Sequence, residues 1–207
     1  MVSVVTSDNQ ELYREPLETM HRDRKRIFVD QMKWDLPCPD GVHEADQFDT
    51  ADAIYLLAAD PRSRAHLGSV RLLPTTSPHL LSSIFPQLCD TELPVGPDVW
   101  EITRLCTAPN LDRESAMQVR SHLTLAVVEF ALLYGVSQYT AVTYIGMVPG
   151  LLSVGWNCEP LGLPKTVGAD TLTALSIRVT PSTLQMLRAK MERRAPVLEI
   201  VSAAQAA

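Results

Sequence analysis

The stretch that decides the fold reads VWEITRLCT (99–107), APNL, DRESAMQVRSHLTLAVVEFALLY (112–134), GVSQ and YTAVTYI (139–145). Its outer parts have the β-branched and aromatic content of strands, and its middle part is apolar at helical spacing and on its other faces too. Gly135 is well placed to end that helix. A strand, a buried helix and a second strand in this order predict a right-handed crossover between parallel strands.

The rest of the chain places further strand and helix patterns around this unit. Strands are predicted at 2–6, 52–59, 67–74, 159–163 and 173–179, and the second and third of these form a hairpin. Helices are predicted at 10–32, around 80–88 within an irregular cover over 74–98, at 147–154 and from Thr180 to about residue 194. These elements predict an α/β fold: a single-domain α-β-α sandwich with a mixed sheet over residues 1–195, then a flexible tail over 196–207.

Composition limits the classes of protein to which the chain can belong. Of its 207 residues 46% are hydrophobic, which is enough for a packed core, and the net charge of −6 argues against nucleic-acid binding. The start of the chain is too polar for a signal peptide, and no apolar run approaches a membrane span. Four widely spaced cysteines without a CxxC pair indicate reduced thiols in a cytoplasmic protein; they are Cys38, Cys89, Cys106 and Cys158.

Charged and aromatic side chains recur at positions where a packed core does not favour them. Arg24 lies four residues from both Met20 and Phe28, so it shares the apolar face of the predicted helix. Buried charges are costly unless they pair or take part in chemistry, and both signs recur here with aromatic rings between them. We therefore expect one polar pocket with stacking walls. The residues concerned are Arg24, Phe28, Trp34, Asp46, Asp49, Arg71, Glu101 and Arg104.

These eight residues, in their order and spacing, resemble the acyl-homoserine-lactone synthase (autoinducer synthase) family over nearly the whole chain. The resemblance implies a fold similar to that of N-acetyltransferases, with a mixed sheet splayed by a V-shaped cleft. It also implies acyl transfer from a thioester to the amine of S-adenosylmethionine (SAM), then lactonisation, which gives an acyl-homoserine lactone and methylthioadenosine. SAM is then a substrate, no cofactor or metal is expected, and the acyl donor is an acyl-carrier protein or acyl-CoA.

The implied chemistry needs a group that takes a proton from the substrate amine, which is substantially protonated at neutral pH. Glu101, on a strand near the cleft, is the candidate, acting directly or through a water, and Arg71 is the second catalytic candidate. The alternative for Glu101 is a structural ion pair with Arg71 or Arg104. Both roles are compatible, because a paired carboxylate can still orient a water.

A second set of residues is expected to hold SAM. Carboxylates suit its cationic end, a bidentate arginine suits its carboxylate, and rings suit its adenine or sulfonium. The alternatives are a core helix residue for the phenylalanine and a solvated turn for the two aspartates. The set is Arg24, Phe28, Trp34, Asp46, Asp49, Thr103 and Arg104.

Acyl-pocket walls are expected from Ile102, Thr143, Met147 and Leu151, with ordinary core packing as the alternative. In the family that the chain resembles, a threonine at the position of Thr143 is associated with 3-oxoacyl chains, whose ketone it can hydrogen-bond. The alternative is a β-branched residue that simply suits a strand.

The phenylalanine usual after the family's second arginine is Leu105 here, and two further absences concern the acyl donor. Many family members carry basic residues in the segment at 147–156, which suit an acidic carrier protein, whereas this chain has none there. The turn at 108–117 lacks the glycines with which N-acetyltransferases hold the coenzyme A pyrophosphate. Two rival functions stay open: an N-acetyltransferase-like enzyme acting on another amine, and a non-catalytic sensor of SAM or acyl chains.

Overall fold

The computed structural model describes residues 1–201 of the chain. Nine strands in this part belong to one mixed sheet. They are β1 Val2–Val5, β2 Ile54–Ala59, β3 His66–Pro74, β4 Val99–Thr107, β5 Gln138–Tyr144, β6 Asn157–Pro160, β7 Lys165–Val167, β8 Asp170–Arg178 and β9 Leu198–Glu199.

Within residues 1–201, five α-helices accompany the sheet, together with shorter helical turns. The α-helices are α1 Arg14–Arg24, α2 Leu80–Ser83, α3 Arg113–Tyr134, α4 Val148–Val154 and α5 Pro181–Lys190. Single turns of 3₁₀-helix lie at Gln10–Tyr13, Pro86–Leu88 and Ile145–Met147, and a π-helical segment, Lys25–Gln31, continues α1.

The chain forms two compact units. The first unit holds Met1–Leu72, Arg104–Val127 and, at the end of the described residues, 197–201. Its strands run in the order β9, β1, β2, β3, and the antiparallel pairing of β2 with β3 confirms the predicted hairpin. Met20 of α1 packs on Val5 and Leu57, which fixes the helix against the sheet.

The second unit holds Leu73–Thr103 and Val128–Pro196. Here β4 and β5 are parallel, as predicted from the strand-helix-strand stretch, and β8 pairs antiparallel with β5, β6 and β7. The paired residues of β4 and β5 end at Glu101 and Thr140, although both strands continue. The two strands therefore part beyond this pair, which agrees with the splayed sheet expected from the sequence.

Helix α3 is the apolar centre of the predicted stretch. By length and composition it is the one helix among residues 1–201 that could cross a membrane, yet 56% of its apolar window is buried inside the structure. A core helix of a globular protein passes the same test, so length and composition fit both a membrane span and a core helix.

Several predicted bounds need correction. The helix expected at 10–32 is three segments, and Pro16 does not break α1, because it lies in the first turn where no backbone N–H needs a partner. The last helix ends at Lys190 and not near residue 194, since Glu192 adopts a left-handed φ of +50°.

Two short strands, β7 and β9, were not predicted. Strand β9 also corrects the expected flexible tail, because Val197 is fully buried and β9 pairs in parallel with β1. An apolar stretch at the open edge of a sheet gains backbone hydrogen bonds by pairing there. The remainder of the predicted tail, 202–207, lies outside the described residues.

Candidate active site

Three arginines and three carboxylates of the first unit form a closed ring, which we call the ionic ring. Arg24 of α1 is 1% exposed, and its Nε donates to Glu44 Oε2 at 2.5 Å. Its Nη1 and Nη2 donate to the two carboxylate oxygens of Asp49 at 2.8 and 2.9 Å. This bidentate pair is the strongest geometry available between these groups.

The other two arginines come from neighbouring strands. Arg71 of β3 donates to both oxygens of Asp46 at 2.6 and 2.9 Å, and its Nη1 lies 2.8 Å from Asp49 Oδ1. Arg104 of β4 lies 3.0 Å from Glu44 Oε1 and 2.7 Å from Asp46 Oδ2. Each arginine therefore meets two carboxylates and each carboxylate meets two arginines, so the formal charges cancel.

Electrostatics keep the ring ionised. Burial alone would raise the pKa of Asp49, but hydrogen bonds from Arg24 and the charges of Arg24 and Arg71 lower it well below its usual range. The pKa of Asp46 is lowered in the same way, against its burial, by Arg71 and Arg104. At neutral pH these two aspartates are therefore poor proton acceptors, and they act as anchors for the guanidinium groups.

The segment after α1 places two aromatic rings beside the ionic ring. Here the helix widens to π geometry, a feature that is frequent at functional sites. The rings of Phe28 and Trp34 stack at 4.9 Å with planes 14° apart, and the backbone N–H of Trp34 donates to the Phe28 carbonyl at 2.9 Å. The Arg104 guanidinium lies 5.5 Å from the Phe28 ring centre, which is a cation–π contact.

Arg104 has an unusual backbone for a strand residue. Its φ is +52°, in the left-handed region that only glycine adopts at low cost. Such strain persists where surrounding contacts over-determine it, and Arg104 is held by Glu44 and Asp46. The guanidinium of this strained residue completes the ring.

Glu101 of the second unit is completely buried. Its carboxylate oxygens accept the backbone N–H groups of Leu80 at 2.7 Å and Leu81 at 2.8 Å. On the adjacent strand its partner in the pairing is Thr140. Two backbone N–H groups at the start of α2 therefore fix the position of this carboxylate.

The residues expected to line an acyl pocket lie in the second unit. Side chains alternate along a strand, so Ile102 and Thr143 share the sheet face opposite to Glu101. Met147 is 56% exposed in the 3₁₀ turn after β5, and Leu151 is half-buried on α4. Thr103, expected at the SAM site, is buried in β4 on the same face as Glu101.

Sequence reasoning left two ring contacts out of the site. Glu44 is fully buried between Arg24 and Arg104, and Tyr55 donates its hydroxyl to Asp49 at 2.7 Å. Glu44 stands in the same polar stretch as Asp46, two residues earlier, and this spacing is the signal that could have found it. Tyr55 gave no such signal in the sequence. It lies next to the ring residue Arg71 only through the pairing of β2 with β3, which brings together residues far apart in the chain.

The fold can be compared with solved structures. A putative N-acetyltransferase from Lactobacillus plantarum superposes with a TM-score of 0.56 over 86% of this chain and 99% of that chain, at 12% identity. At this identity the likeness concerns the fold alone. It confirms the predicted class, an α/β protein with an N-acetyltransferase-like mixed sheet.

Closer likenesses define the family. The family model described as Autoinducer synthase matches residues 8–187. Isovaleryl-homoserine lactone synthase of Bradyrhizobium diazoefficiens is 34% identical over 90% of this chain and 84% of its own length. A CoA-dependent acyl-homoserine lactone synthase, solved with SAM and isopentyl-CoA, superposes with a TM-score of 0.89 at 31% identity, over 98% of this chain and 93% of that one. The chain therefore belongs to the autoinducer synthase family, and the predicted enzyme class, an acyl-homoserine-lactone synthase, is confirmed.

Proposed function

We propose that this acyl-homoserine-lactone synthase takes its acyl group from a short-chain acyl-CoA. Three observations support the proposal. The chain is similar to a CoA-dependent synthase, and a relative is named for its isovaleryl product. The stretch at 145–158 contains no charged residue, so it offers an acidic carrier protein no complementary charge.

The ionic ring with its two stacked aromatic rings is the proposed SAM site. Because Asp46 and Asp49 are each held between two arginines, their proposed role is to fix the guanidinium groups and not to bind the ligand's ammonium directly. Arg104 is the proposed partner of the SAM carboxylate. Phe28 and Trp34 supply the stacking surface for adenine or the sulfonium.

Glu101 is the proposed acceptor of the amine proton, and the amine then attacks the thioester carbonyl. Arg71 is the proposed electrostatic support from the ionic ring. Ile102 and Thr143 are the proposed acyl-facing residues, since they share one face of the sheet, with Met147 and Leu151 following them. In the second step the SAM carboxylate displaces the neutral thioether, a reaction that depends chiefly on positioning.

Cytoplasmic location is also proposed. The four cysteines of the chain are free thiols, which suits a reducing compartment. The expectation that no metal or other cofactor takes part stays a prediction.

The donor proposal is tested with matched thioesters. The purified chain is mixed with SAM and with isovaleryl, butyryl and octanoyl groups, each carried either by CoA or by acyl-carrier protein. Lactone and methylthioadenosine are quantified by mass spectrometry. We expect equal amounts of both products, with kcat/KM about tenfold or more higher for acyl-CoA. Turnover with carrier-protein thioesters alone would contradict the proposal and leave the enzyme class intact.

The SAM site is tested by Trp34→Leu. Loss of an aromatic contact worth about 0.5–1.5 kcal/mol predicts a KM for SAM that is roughly two- to tenfold higher, with the KM for acyl-CoA unchanged. Tyr134→Leu on α3, where the ring is 49% exposed, is the matched control and should leave both values unchanged. An unchanged KM for SAM in Trp34→Leu would place the nucleoside elsewhere.

A further inference from the structure

Four buried polar side chains of the first unit form a line of hydrogen bonds, which we call the His66 network. Nδ1 of His66 lies 3.0 Å from Asp23 Oδ2, and Nε2 of the same ring lies 3.0 Å from Ser69 Oγ. Ser69 Oγ in turn lies 3.8 Å from the sulfur of Cys106. All four residues are at most 7% exposed. None of the roles proposed above involves these side chains.

Every link of the network joins a donor to an acceptor. Asp23 offers a carboxylate oxygen, so Nδ1 of His66 donates to it. Nε2 accepts from the Ser69 hydroxyl, whose oxygen accepts from the weak S–H donor of Cys106. A second proton on the imidazole only reverses these last two links, since a hydroxyl and a thiol can each donate or accept. Buried networks in which every member is paired make the elements that carry them rigid.

The network joins the same three elements as the arginines of the ionic ring. Each arginine lies within two residues of a network member, and the pairs are Asp23 and Arg24 on α1, Ser69 and Arg71 on β3, and Cys106 and Arg104 on β4. A second tie between α1 and β3 is the backbone N–H of His66, which donates to Thr19 Oγ1 at 3.0 Å. A shift of one of these elements against the others therefore breaks the network and displaces an arginine at the same time.

A β-bulge in β3 makes the network possible. The pairing of β3 with β2 shifts between Gly68 and His66, so Leu67 is an extra residue on β3. In a regular strand, residues three apart face opposite sides of the sheet. Because of the extra residue, His66 reaches Ser69 on the side of the sheet that Arg71, two residues further, also faces. Bulges next to active sites commonly redirect a side chain in this way.

We propose that the His66 network is a positioning device for SAM binding, with His66 and Ser69 as positioning residues. The inference rests on the proposed SAM site at the ionic ring. Arg104 already meets two carboxylates, so the carboxylate of the ligand competes with them for its guanidinium. Small displacements of the guanidinium therefore weaken binding, and such sites need their contacts held to within about 0.5 Å. The network supplies this support without touching the ligand.

The test is Ser69→Ala, which removes the central hydroxyl and changes the size of the side chain little. We expect the KM for SAM to rise about three- to tenfold, because binding then has to order elements that the network held. The KM for acyl-CoA should stay within about twofold of wild type, since the network surrounds the SAM site only. Ser176→Ala on β8 is the matched control, because it also removes a buried hydroxyl with a side-chain partner, Gln138 at 3.0 Å. Both variants should be less stable in urea, but the control should leave both KM values unchanged.

Asp23, at the other end of the network, supplies an independent pair of variants. Asp23→Asn keeps an oxygen that can accept from His66, so the KM for SAM should stay within about twofold of wild type. Asp23→Leu has a similar size but no acceptor, and it should raise this KM as Ser69→Ala does. The double variant of Asp23→Leu and Ser69→Ala should be no worse than the more affected single variant, because both changes break one network.

Several outcomes overturn the inference. An unchanged KM for SAM in Ser69→Ala means that the network does not position the site. An equal rise in the KM for acyl-CoA, or the same rise in Ser176→Ala, means that the variant acts through a general loss of structure. Additive effects in the double variant mean that the two residues act separately. Trp34→Leu separates the two levels: an unchanged KM for SAM there overturns the proposed SAM site, whereas a raised value beside a wild-type value in Ser69→Ala overturns only the network.

Discussion

Each carboxylate of the ionic ring lies between two guanidinium groups, so losing one carboxylate weakens two arginines at once. Glu44 is the most deeply buried of the three, and its two oxygens serve different arginines. Removing one partner of a buried pair leaves a charge without compensation in a poorly solvated place. The ring is thus a unit whose members depend on each other, and their effects should not be additive.

Glu44→Gln should lower the free energy of unfolding by about 3–5 kcal/mol, because Arg24 and Arg104 then share an uncharged partner. Urea unfolding followed by circular dichroism measures this. The control is Glu18→Gln in α1, whose side chain is 56% exposed and pairs with Arg22 at 2.8 Å. Its expected effect is below about 1 kcal/mol. Equal effects of the two variants would show that the ring adds no more than a surface pair.

His21 makes stability depend on pH in a defined window. Burial, reinforced by the charge of Arg24, lowers the pKa of His21, whose Nδ1–H donates to the Glu44 carbonyl at 2.8 Å. A folded-state pKa below the unfolded value of about 6.5 means that this contribution is complete above pH 6.5 and is lost as pH falls further.

We therefore expect the urea midpoint to decline as pH is lowered from 7.5 to 5. In His21→Asn the amide can still donate to the Glu44 carbonyl, so the decline over this window should become shallower. If the two curves stay parallel, His21 does not titrate with folding.

For single residues, the sequence predicted most members of the ionic ring but not which carboxylate pairs with which arginine. Arg24, Asp46, Asp49, Arg71 and Arg104 were all expected at one site, because charge and aromatic spacing pointed there. The aspartates were expected to meet a cationic ligand, yet their oxygens meet arginines. The pairing of the charges depends on backbone features such as the left-handed conformation of Arg104. No pattern of residues in the sequence predicts such a feature.

Among the elements, β3 and α3 approach each other at Gly68. A Cβ built on this glycine would lie 2.5 Å from Val119 Cγ1 and 3.1 Å from the Cys106 carbonyl oxygen. The first distance is too short for any side chain, and the valine branch beside it has little freedom to move. Close packing of this helix on the sheet therefore requires glycine at this position.

Gly68→Ala should destabilise the protein by about 1–3 kcal/mol through overpacking. Gly150→Ala is the matched control, since no atom lies within 4 Å of its added Cβ and the residue is inside α4. That change should be neutral or stabilising by up to about 1 kcal/mol. Thermal and urea unfolding of the two variants measure the difference. An unchanged free energy of unfolding in Gly68→Ala would mean that α3 can shift without loss of stability.

Prediction of the elements succeeded where patterns were long and failed where they were short. Strand β4 was predicted residue for residue, and the bounds of α3 differ by one residue. The three-residue β7 and the two-residue β9 are too short to show any alternation, and their pairing with β8 and β1 is a tertiary effect. The π-helical turn at Lys25–Gln31 has the same apolar spacing as an α-helix, so the sequence could not distinguish them.

For the molecule as a whole, charge distribution bears on the choice of acyl donor. The chain carries a net charge of −6, and the stretch from β5 through α4 to Cys158 adds no positive charge. An acidic carrier protein therefore meets repulsion at long range and no attractive patch in this stretch. Coenzyme A is a small ligand whose affinity depends more on local contacts, so the same charge distribution weakens its binding less.

Adding one positive charge should therefore change kcat/KM differently for the two acyl donors. Leu152 lies on α4 and is 51% exposed, so Leu152→Lys places an ammonium at the surface without removing a core residue. We expect kcat/KM for acyl-carrier-protein thioesters to rise severalfold at low ionic strength, and the gain to vanish in about 0.5 M salt, where charges are screened within a few ångströms. The value for acyl-CoA should change less.

Leu133→Lys on α3, where the side chain is 62% exposed, adds the same charge elsewhere and is the control. If both variants gain equally, net charge and not a docking face limits the carrier protein, and an absence of gain in either would mean that contacts other than charge exclude it.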